Sequence, residues 1–464
     1  MSTTKYQVSL DLLKKYDRPG PRYTSYPTAP HFHSDFDPAA YEEEIRRTNE
    51  ADNPPDVSLY FHFPFCKTLC YYCACNVIIT HNPRRIEEYL YLLKKEIDLL
   101  SAKLNPSRKV IQLHWGGGTP TYLSPEQIRD IFLYIREKFN FAPDAEISLE
   151  VDPRRLTEEY LPTLRRLGFN RISFGVQDFN MEVQEAVNRI QPEALTRKVV
   201  TESRALGFDS INVDLIYGLP HQTLSSYKET VTKIIDINPD RLAVFNYAHV
   251  PWLKKHQRII PDTALPKGEE KLAILKMVIE RLTEAGYVYI GMDHFARPDD
   301  ELTVALQNHS LHRNFQGYTT RAGAEVYALG VTGISQLERA YAQNVKDTKE
   351  YSERLLSGRL PTSLGCRLND DDVLRRYVIN ELMCNNRLIK AEIEKKFGID
   401  FDGYFREAIG QLQEFVADGL LQMTADRIEV TGSGRLVIRN MAMAFDTYLK
   451  TDQQKDSPLY SRTV

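Results

Sequence analysis

Between residues 57 and 250 the chain switches six times between a short β-rich segment and a longer stretch whose apolar residues recur at helical spacing. Few folds accept that order. The strand candidates are 57–63, 110–115, 146–151, 171–176, 210–217 and 241–248; amphipathic runs such as 85–101, 125–139, 158–167 and 225–237 lie between them. Strands separated by helices of this length pair in parallel and are joined by right-handed crossovers. No GxGxxG run follows the first strand, so an incomplete barrel is favoured over a dinucleotide-binding sheet. The expected fold class is therefore α/β, a partial (β/α)6 barrel with an N-terminal extension and a mostly helical C-terminal part.

The flanks divide the chain further. Residues 1–55 read as an extension, with a helical pattern at 10–15 and an irregular run around PRYTSYP. Residues 56–290 read as the barrel core, ending in a helical run at 267–285, and 291–367 as a segment that completes the barrel and its pocket. From 368 to 464 the pattern turns helical at 371–385, 390–397 and 404–418, then gives a hairpin at 421–430 and a last helix at 434–448. That succession resembles a winged-helix module. Residues 368–450 hold 11 Lys and Arg against 14 Asp and Glu, so a packing role is favoured over DNA binding.

The whole chain of 464 residues has a formal net charge of -4, which gives no field for nucleic acid or an anionic membrane. The first residues carry no apolar signal core, and no apolar run reaches the roughly 18 residues of a membrane helix. A cytoplasmic monomer is expected. Four of the six cysteines fall within residues 66–75, which in such a chain points to metal or redox chemistry instead of disulfides.

Cys66, Cys70 and Cys73 form a CxxxCxxC motif directly after the first predicted strand. Three thiolates in one loop suit a soft metal centre. Structural zinc takes four closed ligands, and no second CxxC or HxxxH follows; Cys75 would give an unusual CxC spacing. A [4Fe–4S] cluster held by three cysteines leaves one iron open to a ligand.

CxxxCxxC at this place resembles the signature of the radical S-adenosylmethionine enzymes. The segments PRYTSYPTA (21–29), YFHFPFC (60–66), CACN (73–76), LHWGGGTPTYL (113–123), EVDPR (150–154), GVQDFN (175–180), VDLIYGLP (213–220), FNYAHVP (245–251), GMDHFARPDDEL (291–302) and HRNFQGYTT (312–320) resemble, in order, the oxygen-independent coproporphyrinogen III oxidases. The resemblance implies an oxidoreductase of haem biosynthesis that converts two propionates of coproporphyrinogen III to vinyls, giving protoporphyrinogen IX. It implies a cluster on Cys66, Cys70 and Cys73, S-adenosylmethionine on the open iron, and a 5′-deoxyadenosyl radical that takes hydrogen from the substrate. One cofactor is consumed per decarboxylation. The electron donor and acceptor stay unidentified. A related haem chaperone, or an enzyme acting on another tetrapyrrole, is the alternative. Chaperones of this type typically carry phenylalanine where this chain has Cys75, and tend to lack the PRYTSYP run.

The same resemblance assigns site residues. Tyr60, Tyr72, Gly117, Gly118, Thr119, Glu150, Gln177, Arg189 and Asp214 would surround the cofactor, and Ala248, Gln316 and Ile334 would meet a second copy of it. Glycines after a strand let bare backbone approach a ligand. An aspartate inside Asn212-Val-Asp-Leu-Ile must find a partner if buried. Tyr60, Cys75 and Arg22 are the candidate catalytic residues. Four propionates call for guanidinium donors; Arg22 is the first candidate, with Arg297 and Arg313 behind it. Tyr23, Tyr26 and Phe315 could pack on the macrocycle.

Overall fold

The computed structural model describes residues 8–452 and 459–463. Residues 1–7 of the N-terminal extension, and 453–458 and 464 of the C-terminal segment, lie outside the described residues.

Six parallel strands stand side by side in chain order: β1 (Val57–Phe63), β2 (Val110–Gly117), β3 (Phe141–Val151), β4 (Arg171–Gln177), β5 (Ser210–Tyr217) and β6 (Arg241–Asn246). Beyond β6 come β7 (Val288–Gly291) and β8 (His294–Ala296), antiparallel. On the other side β9 (Glu325–Leu329) pairs parallel to β1, followed by antiparallel β10 (Ile334–Gln336), β11 (Ala340–Asn344) and β12 (Thr362–Arg367). The order β12-β11-β10-β9-β1-β2-β3-β4-β5-β6-β8-β7 leaves β12 and β7 as edges, so the sheet does not close. The expected partial barrel is what forms.

Local signals explain the helices between the strands. Ser124 caps Pro125–Lys138 with a reciprocal bond to Gln127, and Thr223 caps Leu224–Ile237 with Ser226 in the same way. Asn82 caps Pro83–Ser101, whose first residue has no N–H to satisfy. Gly168, left-handed at φ 103°, ends Tyr160–Leu167. These helices cover the outer face, where Phe61, Trp115, Leu149, Phe174 and Val213 of the strands are fully buried. The alternate strand residues face the concave side.

The helix Pro83–Ser101 also braces the end of the sheet that carries the cysteines. Its Glu96, 2% exposed, accepts from the Tyr351 hydroxyl, the Gly330 N–H and Asn344 Nδ2. Tyr89 donates to the His62 carbonyl and accepts from the Val331 N–H. A Cβ at Gly330 would come within 2.6 Å of the His62 carbonyl, so the turn after β9 admits only glycine. Burial pushes the Glu96 carboxyl up to about 7 despite its three donors.

Tyr60 lies in the middle of β1. Two expectations need correction. The hairpin at the C-terminal end gains a third strand, Arg387–Ile389, too short for its pattern to register. The helix expected over 434–448 is broken into short turns: Ser433–Val437, Ile438–Ala442 and Met443–Phe445. Tertiary contacts override helical propensity there. The buried Arg439 guanidinium donates to the Gly20, Pro21 and Thr463 carbonyls, which ties this segment to the N-terminal run.

The run around residues 20–28 is fastened to the C-terminal segment throughout. The Tyr23 hydroxyl donates to Asp446 at 2.9 Å, Tyr26 bonds Thr447 at 3.1 Å and Thr28 bonds Tyr460 at 2.8 Å. Tyr23 and Tyr26 are buried, and both line a cavity of about 550 Å³ that Arg313 also lines. Among the described residues no helix is long and apolar enough to cross a membrane.

Candidate active site

The loop after β1 carries Cys66, Cys70, Cys73 and Cys75, all of which line one cavity of about 230 Å³ at the C-terminal ends of the strands. Neighbouring segments hold the loop's backbone. Tyr71 N–H donates to the Val187 carbonyl and Asn188 Nδ2 to the Leu69 carbonyl. From the other side Gln257 donates to the Tyr72 carbonyl, His256 to Cys73 and Lys254 to Cys75. Arg189 and Arg154 stand 3.9 and 4.0 Å from the Cys70 sulfur, and both pair with Asp152. Burial would raise the Asp152 carboxyl; the Arg189 charge and the Arg154 bond hold it down at about 2. Hydrogen bonding from Cys75 favours the Cys73 thiolate, with Lys254 and Arg189 adding positive charge.

Tyr72, Gly117, Gly118, Thr119, Glu150, Gln177, Arg189 and Asp214 line the same cavity. The sheet register brings them there. Tyr60 stands opposite His114, His114 opposite Ser148, Glu150 opposite Ser173, and Gly175 opposite Asp214. Glu150 accepts from the Gly117 N–H at 3.1 Å. Burial alone would raise this carboxyl, but the His114 bond and charge and the Gly117 bond keep it below its ordinary value. Asp214 accepts from Ser173 and Asn212 at 3.1 and 2.7 Å. Burial and the Glu150 charge push Asp214 up to about 7. Gln177 sits at φ 71°, a left-handed conformation costly for a side chain, and its buried Oε1 has no partner among the described residues. A Cβ at Gly118 would stand 2.7 Å from the Pro64 backbone, so only glycine fits there.

His114, Ser148, Ser173 and Asn212 were not expected. Their signal is present in the sequence: polar residues at every second position of four strands that are otherwise apolar. Tyr60 is on the concave side but not on the cavity wall. It stacks on His114 with ring centroids 6.0 Å apart. His62 donates from Nε2 to the Asn76 carbonyl, so its Nδ1 accepts from the Tyr60 hydroxyl at 3.2 Å.

The donor set fits a cluster and its nucleotide ligand. Cys66, Cys70 and Cys73 line one space. A shelf of glycine backbone, the unpartnered Gln177 oxygen and two carboxylates lines the same cavity. These groups suit an amine, a carboxylate and a ribose.

The remaining candidates lie elsewhere. Arg22 pairs with Asp293 in a separate small cavity lined also by Tyr217, Asn246 and Arg439. Burial and the charges of Arg439 and Arg313 lower its pKa to about 9. Arg297 donates to the Asn238 carbonyl and faces Asp240 at 3.8 Å, which is a structural role. Arg313, 6% exposed on the strand His312–Asn314, lies over the Tyr318 ring at 4.9 Å, and its Nε and Nη1 meet no partner among the described residues. Beside it His294 Nδ1 is also unpartnered. Burial, Arg313 and Arg22 together push His294 down to about 3. Gln316 Nε2 is buried without a partner, Ile334 and Phe315 pack around Tyr341, and the Ala248 carbonyl accepts from Gln257. None of Ala248, Gln316 and Ile334 lines the cysteine cavity.

Comparison with known proteins agrees with this geometry. Residues 60–234 match the model of the radical SAM superfamily, and 368–437 that of the HemN C-terminal domain. An oxygen-independent coproporphyrinogen III oxidase of Synechocystis is 48% identical over the full length of both chains, and that of Pseudomonas aeruginosa is 48% identical over 95% of each. The solved coproporphyrinogen III oxidase (HemN) of Escherichia coli, described as a radical SAM enzyme, superposes with a TM-score of 0.91 at 46% identity, covering 96% of this chain and all of that one. With the cysteine loop, the polar shelf and these full-length relatives in hand, the chain belongs to the oxygen-independent coproporphyrinogen III oxidases of the radical SAM superfamily.

Proposed function

We propose that the chain oxidatively decarboxylates two propionates of coproporphyrinogen III to vinyls, giving protoporphyrinogen IX without oxygen. Each propionate loses one hydrogen atom, CO2 and one electron. The observation that carries this reading is the convergence of Cys66, Cys70 and Cys73 with the polar shelf of β2 to β5 on one cavity. A [4Fe–4S] cluster with S-adenosylmethionine on its open iron supplies the hydrogen-abstracting radical when bound.

The chain's own residues do the rest. Cys66, Cys70 and Cys73 would hold the cluster. Glu150, Gln177, Asp214 and the Gly117–Gly118 backbone would orient the cofactor, with Tyr72, Thr119 and Arg189 closing its sides and Tyr60, held by His62, behind it. Asp152 and Arg154 balance the charge at Cys70. Cys75 would stay off the iron and face the substrate. Arg313 would anchor a propionate, since an unpaired buried guanidinium is costly until an anion meets it. Arg22, whose charge Asp293 already engages, would be the weaker contact. Ala248, Gln316 and Ile334 would mark the place of a second S-adenosylmethionine, supported by the unpartnered Gln316 amide. Residues 1–55 would cap the core of 56–290 and its completing segment 291–367, with 368–464 as their support. We place the enzyme in the cytoplasm as a monomer, on its cysteine usage and charge.

The test is anaerobic turnover of the reconstituted protein with coproporphyrinogen III, a reductant and S-adenosylmethionine. Protoporphyrinogen IX should form with one cofactor cleaved per CO2. Tight haem binding with no CO2 release would make the chain a carrier instead.

A further inference from the structure

A segment bonded to the cysteine loop is neither polar nor balanced in charge. Leu253 is 72% exposed, Trp252 60% and Ile259 57%, and all three lie on the short segment 250–259. Solvent-facing apolar side chains grouped this closely mark interaction sites on soluble proteins. Three residues of this segment, Lys254, His256 and Gln257, donate directly to backbone carbonyls of the loop, at 2.9, 2.7 and 2.9 Å. The patch is thus bolted to the loop that would carry the cluster.

Its charge is of one sign. Residues 66–75 and 248–260 contain Lys67, Lys254, Lys255 and Arg258 and no Asp or Glu, in a chain whose net charge is -4. Among the described residues none of the four has an ion-pair partner; Asp262, next along the chain, faces His249 at 3.0 Å. An apolar centre with a rim of one charge is the composition of a transient protein interface, and the charge selects a partner of opposite sign.

We infer that residues 250–259, with Lys67, form the docking surface for an acidic one-electron carrier protein that reduces the cluster. The inference rests on the function proposed above, which requires one electron to enter for each cofactor cleaved. The carrier is oxidised by one electron and the cluster reduced by one; no proton or group moves between the proteins. A small patch suffices, because redox encounters sit at the low end of interface areas.

The test uses cluster-loaded protein and, as probe, a flavodoxin, an acidic one-electron flavoprotein. Binding is measured by calorimetry at low and moderate salt. The variants are Lys255→Glu/Arg258→Glu and Trp252→Ser, none of which touches the loop carbonyls. Wild-type affinity should fall as salt rises. The charge reversal should weaken binding by at least about tenfold and Trp252→Ser by about half that factor. Cofactor cleavage driven by dithionite should be unchanged in both. No binding by the wild type, or unchanged affinity in both variants, overturns the proposal. So does a wild-type dimer that the variants convert to monomer while carrier binding persists, because the patch would then serve a second copy of the chain. Failure of the dithionite-driven decarboxylation in the wild type would sink the proposed function instead, and the binding result would still decide the surface.

Discussion

The cysteine cavity and the surroundings of Arg313 both bury polar groups, yet they manage them in opposite ways. In the cavity the chain has already answered almost every charge. Glu150 takes the Gly117 N–H, Asp214 takes Ser173 and Asn212, and Asp152 takes Arg154. Around Arg313 the guanidinium, the His294 Nδ1 and the Gln316 amide are left with free donors or acceptors. The first arrangement would suit a ligand that brings both signs of charge, and the second would suit an anion.

The largest effect should come from the cavity. Serine is a poorer ligand for iron–sulfur centres than cysteine. Cys66→Ser, Cys70→Ser and Cys73→Ser should each lose the cluster and all detectable turnover. Full iron and sulfide content in any one of them would break the assignment.

Next comes the brace behind the cavity. Burial raises the Glu96 carboxyl in the folded state to about 7, above its ordinary value of 4.5. The folded state therefore holds the proton more tightly, and the associated stability, about 3 kcal/mol, is present below the unfolded pKa and lost as pH rises through about 7. The stability difference between wild type and Glu96→Gln should shift against the wild type between pH 5 and pH 8. A pH-independent difference in denaturant unfolding would remove Glu96 from the account.

Cys75→Ser should keep the cluster and still bind S-adenosylmethionine, with turnover down by roughly tenfold. Mössbauer spectra should show one iron that changes when the cofactor is added. Four equivalent thiolate-ligated irons, indifferent to cofactor, would make Cys75 a ligand. The smallest effect is expected at Arg22, since Asp293 shares its charge. Arg22→Ala should lower kcat/KM only by about two- to fivefold. A loss as large as that from Arg313→Ala would reverse the ranking of the two arginines.

The same contrast explains what could be read beforehand. The cavity residues sit at or just after strands whose alternation is plain in the sequence, and their motifs are contiguous: CxxxCxxC, GGGT, EVDPR. The six-fold rhythm therefore located the barrel, while the residues of the polar shelf came from the family resemblance of those motifs. His114, Ser148, Ser173 and Asn212 were missed only because single polar residues in apolar strands were not read as one layer. The region of Arg22 and Arg313 is different. It is assembled from residues 22, 293–294, 313–318 and 439, which come together only through tertiary packing. Nothing local distinguishes Arg313 from Arg297, yet one is buried with its Nε and Nη1 unbonded among the described residues and the other donates to a carbonyl near the surface. The broken turns of 433–445 were unreadable for the same reason: Arg439 holds carbonyls more than 400 residues away.

The separation of a cofactor region from a substrate region is the central claim, and Arg313→Ala tests it most directly. Released 5′-deoxyadenosine and CO2 should be measured together, anaerobically, over a range of coproporphyrinogen III. Losing one charge-assisted carboxylate contact should raise KM by about 10- to 100-fold. Cofactor cleavage without substrate should continue at the wild-type rate, so the ratio of 5′-deoxyadenosine to CO2 should climb well above one at low substrate. An unchanged KM with a ratio of one, or a parallel loss of both products together with the cluster spectrum, would contradict the division of the site.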